Sequence, residues 1–140
     1  MTKSSSAPKP HKQVLAKVNA YVDEDIKELV EVLNTLGKLW TFESCQRNGA
    51  NRGWVLLNYG DEDTGQDEII EFTKALIASV RNYIKEYPNG LLGDTFISLE
   101  WVSSSPKPYM YITFPSDATE QITSVFRNAV LDFQGSNPYR

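Results

Sequence analysis

The stretch TFISLEWVS at residues 95–103, followed by SSPKP and then by YMYITF at 109–114, decides the fold class of this chain. Apolar and polar residues alternate in both runs, and the Ser and Pro residues between them break regular structure, so the pattern predicts a β-hairpin. Alternation splits such a hairpin into two faces. Ile97, Leu99, Trp101, Met110, Ile112 and Phe114 form the expected core set, and Ser98, Glu100, Tyr109, Tyr111 and Thr113 the opposite set.

Upstream, Lys38–Ser44 and Arg52–Tyr59 are rich in Trp, Phe, Thr, Val, Leu and Tyr and flank the polar loop CQRNGAN, which predicts a second hairpin. This hairpin would add Thr41 and Glu43 to the uncovered set. Helices surround the two hairpins. Ile26, Leu29, Val30, Leu33 and Leu36 share one face of a helix over about 23–36, with acids in its first turn and Gly37 at its far end. Ile69, Thr73, Leu76, Ile77, Val80, Ile84 and Tyr87 mark a helix over 67–87 that stops at Pro88. Asp117 precedes a third stripe, Ile122, Val125, Phe126, Ala129, Val130 and Phe133, expected to end at Gly135. The order αββαββα gives an α+β two-layer sandwich, a mostly antiparallel four-stranded sheet with its helices on one face.

The chain has 140 residues, enough for one hydrophobic core; the domain is expected over 13–135, between a disordered tail at 1–12 and a short tail at 136–140. Fourteen basic and eighteen acidic residues give a net charge of −4, and because Lys3, Lys9 and Lys12 lie in the N-terminal segment, residues 13–140 carry −7. A body of that sign argues against a broad nucleic-acid surface, since such surfaces displace counterions with Lys and Arg. One cysteine makes no internal disulfide, and neither a membrane-spanning run nor a secretory signal is present, so a cytoplasmic location is expected.

The segment TFESCQRNG at 41–49 concentrates groups with chemical potential at a strand end. Cys45 beside Arg47 and Arg52 could hold a stabilised thiolate, and Ser44, Asn48 and the Gly49 backbone could donate hydrogen bonds to an anion. Cys45 and Glu43 are the candidate catalytic residues, and Ser44, Cys45, Arg47, Asn48 and Arg52 the candidate ligand-binding set. The only histidine, His11, is in the tail, so no base stands near Cys45 in sequence. Glu43 and Glu100 could work as an acid and base pair if a cleft brought them together. The acidic run GDEDTGQD misses the calcium-loop spacing: counted from Asp61, glycine falls at position five and Phe72 at position twelve. One cysteine and one histidine do not build a zinc site by themselves, and no metal is expected. The Walker and dinucleotide glycine patterns are absent.

Val22-Asp23-Glu24 followed by Ile26, Leu29 and Leu33-Asn34, and then Thr41 and the Ser44-Cys45 pair, resembles the opening of the wybutosine-synthesising transfer-RNA methyltransferase family. The resemblance covers about residues 22–47. It implies that this segment helps form a site for S-adenosylmethionine and a modified guanosine. The chain departs from the family pattern at Glu43, Gln46 and Arg47, where two serines and a glycine stand in the family.

Without an assembled catalytic set, the residues lead to a noncatalytic protein-interaction or regulatory module with no cofactor, holding a protein partner through Glu100, Tyr109 and Tyr111 on the open sheet face or through the 45–52 loop. The alternative is a small enzyme or ligand-binding protein, methyltransferase-like and using S-adenosylmethionine, with its site at 41–52.

Overall fold

Three strand-strand-helix units follow one another along the chain. The first is β1 (Gln13–Ala16), β2 (Ala20–Asp23) and α1 (Lys27–Leu33); the second is β3 (Leu39–Cys45), β4 (Arg52–Tyr59) and α2 (Asp67–Glu86); the third is β5 (Phe96–Glu100), β6 (Tyr109–Pro115) and α3 (Thr119–Ser136). The computed structural model describes residues 13–16, 20–45, 51–60 and 66–136, and at 13–16, 20–23, 40–42, 45 and 136 it describes the backbone only. The expected tail at 1–12, residues 137–140 of the expected tail at 136–140, and residues 61–65 of the acidic run lie outside the described residues.

The second and third units share one antiparallel sheet in the order β3-β4-β6-β5. Each hairpin thus contributes its second strand to the centre and its first strand to an edge. β1 and β2 pair with each other in a separate two-stranded sheet, and β2 runs beside β3. The α+β fold with a four-stranded antiparallel sheet is the one the alternation predicts. The N-terminal hairpin is an addition to the expected order αββαββα.

Val55, Leu57 and Tyr59 of β4 and Met110, Ile112 and Phe114 of β6 are buried on one face of the sheet, with Ile97 and Leu99 of β5 packed against them. The helices cover that face with residues of the predicted stripes: Ile26, Leu29, Val30 and Leu33 at α1, Ile69, Leu76 and Val80 on α2, and Ile122, Val125, Phe126, Ala129, Val130 and Phe133 on α3; Phe72 of α2, outside the predicted stripe, is fully buried with them. The layers meet where the Tyr59 ring stacks on Phe72 at 3.9 Å between centroids, and Phe72 in turn meets Phe133 at 5.2 Å. Burial of each such side chain stabilises by about 1.5–3 kcal/mol.

Several details differ from expectation. Residues Glu24–Ile26 form a 3-10 turn, so α1 is shorter than the predicted helix. Gly37 does adopt a left-handed backbone, φ +73°, after the helix. α3 continues through Gly135 to Ser136. Tyr87, placed in the α2 stripe by spacing, is 51% exposed because α2 ends at Glu86. Trp101 is not in the core: β5 ends at Glu100, the alternation ends with it, and the indole is 60% exposed.

Candidate functional site

The sheet face turned away from the helices carries an apolar centre with charged margins. Pairing sets its rows. One row runs Glu43, Leu56, Tyr111 and Ser98 across β3, β4, β6 and β5. The next places Trp54, Thr113 and Phe96 side by side. A third joins Tyr109 to Glu100. Trp54, Leu56, Tyr109 and Tyr111 are half-buried, and Phe96 is 59% exposed. The Trp54 and Tyr111 rings meet at 6.3 Å in a tilted arrangement. Glu43 and Glu100 are exposed at opposite edges, and Glu100 accepts a hydrogen bond from Ser98 Oγ at 2.9 Å.

Arg52 frames one end of this face. Its Nε donates to Thr113 Oγ1 at 3.0 Å, and its terminal nitrogens donate to the Asp94 carboxylate at 2.8 Å and the Asp94 carbonyl at 2.6 Å. The guanidinium also lies 5.4 Å from the centroid of Phe96. Thr113 passes the chain of bonds on by donating to the Gly53 carbonyl at 3.1 Å. The planar fork of arginine suits such a multiple clamp. It ties β4 to the turn Leu91–Asp94 that leads into β5. At the other end of the face Asn58 is buried.

The sequence-derived candidates separate on this frame. Glu43 is on the uncovered face, whereas its neighbour Ser44 stands opposite Val55, a residue of the covered face. Ser44 and Arg52 are therefore not brought together around one ligand, and Arg52 has its donors engaged within the protein. The backbone of Cys45 pairs opposite Trp54 at the end of β3; Arg47 and Asn48 lie outside the described residues. Glu43 and Glu100 are on opposite edge strands with two strands between them, about 15 Å apart at strand spacings of about 4.8 Å, too far to act as a carboxylate pair on one bond. Tyr109 pairs opposite Glu100, and Tyr111 lies one row away on the same face.

Sequence reasoning missed Trp54, Leu56 and Phe96 on this face. The signal was present, since each alternates with a core residue, Val55, Leu57 or Ile97. A cleft of about 350 Å³ lies elsewhere, between α1 and α3, lined by Asp25, Glu28, Thr119, Glu120, Thr123 and Arg127. Glu28 and Arg127 pair across it, a contact between the two helices. Among the described residues, no group of three or more His, Cys, Asp or Glu is placed to hold a metal ion, and no helix is long and apolar enough to cross a membrane. No family model, curated protein or solved structure matches the chain.

Proposed function

We propose that the protein is a noncatalytic interaction module that holds a protein partner on the uncovered face of its four-stranded sheet. The observation that carries this reading is the group of half-buried apolar and aromatic side chains, Trp54, Leu56 and Tyr111, in two adjoining rows on the face opposite the helices. A face serving only solubility would present polar groups there, whereas aromatic side chains offer contact area at small entropic cost. The margins, Glu43 and Glu100, suit a partner that brings cations around an apolar centre.

The test compares tagged wild-type protein with Tyr111→Ala as baits in the native lysate. The expected result is one stoichiometric protein captured by wild type and lost, by tenfold or more, with Tyr111→Ala at unchanged melting temperature. Equal capture by both baits removes the sheet face from consideration. Recovery of transfer RNA or S-adenosylmethionine in place of a protein would move the assignment to residues 41–52.

A further inference from the structure

The two edges of the sheet are finished differently. Beside β3 lies β2, and the pairing of β3 with β4 is interrupted by a bulge between Leu39 and Thr41. Both features discourage a further strand from joining that edge. β5 has neither. Its sequence, Phe96-Ile97-Ser98-Leu99-Glu100, contains no Lys, Pro or bulge, and among the described residues its outer edge pairs with nothing. Among the described residues, four of the six large exposed hydrophobic ones, Leu91, Phe96, Trp101 and Val102, lie in this strand or within five residues of it.

We infer that β5 is a self-association edge, on which a second copy of this chain pairs antiparallel about Ser98 and joins two sheets into one of eight strands. The register makes the strand complementary to itself. With Ser98 on the two-fold axis, Ile97 stands opposite Leu99 of the second copy, on the helix-covered side, where both are only half-buried in a single chain. On the other side Phe96 stands opposite Glu100 of the second copy. Glu100 thus faces an aromatic ring and not a second acid, so no like charges stand directly opposite one another in this register. Directly opposed apolar pairs stabilise antiparallel strands, and a two-fold axis supplies the Ile97–Leu99 pair twice. An interface built on one short strand buries less than the area of a standard stable complex, which places the association in the weak, reversible range. The inference is independent of the partner proposed for the open face. The joined sheet would double that face.

Sedimentation of the full chain over about 1–500 µM tests it, a range that reports micromolar dissociation constants. Wild type is expected to pass from monomer to dimer. Ser98→Lys and Ser98→Glu each set like charges directly opposite one another across the axis and should weaken dimerisation by about tenfold or more. An equimolar mixture of the two should restore it as a heterodimer. Wild type that stays monomeric throughout, a Ser98→Lys protein that dimerises as tightly as wild type, or a mixture that fails to reassociate would each overturn the inference. Hydrogen exchange of wild type alone gives a second reading free of variants: β5 amides should gain protection as concentration rises. Protection independent of concentration would overturn it as well.

Discussion

Two residues beneath the sheet show how closely the interior is specified. Glu68 in the first turn of α2 is fully buried, and Lys38, just before β3, meets it at 2.6 Å. Removing one partner of a buried ion pair leaves the other uncompensated, so Lys38→Met is expected to cost about 3 kcal/mol, read from denaturant unfolding. A Lys38→Met, Glu68→Leu double variant should recover most of that loss, because removing both charges removes the desolvation cost as well; no recovery would mean that the pair stabilises by attraction. Gly60 explains why the carboxylate fits. Its φ of +99° is left-handed territory, and a Cβ there would stand 3.1 Å from Glu68 Oε1. Gly37 has a similar backbone, φ +73°, with nothing within 4 Å of a Cβ. Gly37→Ala should therefore cost about 1 kcal/mol for the backbone alone, and Gly60→Ala more, by about 1–2 kcal/mol, since it adds the collision. Equal melting temperatures for the two variants would show that the Glu68 side chain yields freely.

Among the elements, β5 depends on a contact that no local pattern announces. Arg52 reaches Thr113, 61 residues away, and Asp94, 42 residues away, and it holds the turn preceding β5 against the start of β4. Arg52→Lys keeps the charge but loses the fork, so amide protection in β5 should fall by about fivefold, equivalent to about 1 kcal/mol of local opening, while β4 remains protected. A uniform fall across the sheet would mean that the arginine supports the whole fold rather than the edge. The same contact marks the boundary of what the sequence discloses. Periodicities of two and 3.6 made both sheet hairpins, all three helical stripes and the tyrosine face legible, because burial on one side imposes them residue by residue. Trp101 was misread because the alternation that places Leu99 inside continues in letters past Glu100, where strand pairing stops. β1 and β2 escaped because strands of four residues offer too few alternations to register. Arg52 read as an anion-binding candidate because sequence separation conceals both Thr113 and Asp94.

The whole molecule is three successive strand-strand-helix units, yet only two of them build the sheet. The first contributes its 3-10 turn and helix to the common core, through Ile26, Leu29, Val30 and Leu33, each fully buried, and keeps its hairpin apart. Stability should be divided accordingly. A two-stranded hairpin is marginal by itself and draws its order from what it lies against. A chain beginning at Glu24 is expected to unfold cooperatively with a loss of less than about 2 kcal/mol, whereas Leu33→Ala in the full chain should lose about 3 kcal/mol, because the cavity opens where α1 joins the shared core. Thermal and urea unfolding followed by circular dichroism compare the two directly. If truncation abolishes the transition while Leu33→Ala leaves it in place, then the packing of the hairpin along β3 and α1 holds the fold together. The first unit would then act as a clasp on the edge opposite β5, making one sheet edge a structural closure and leaving the other for association.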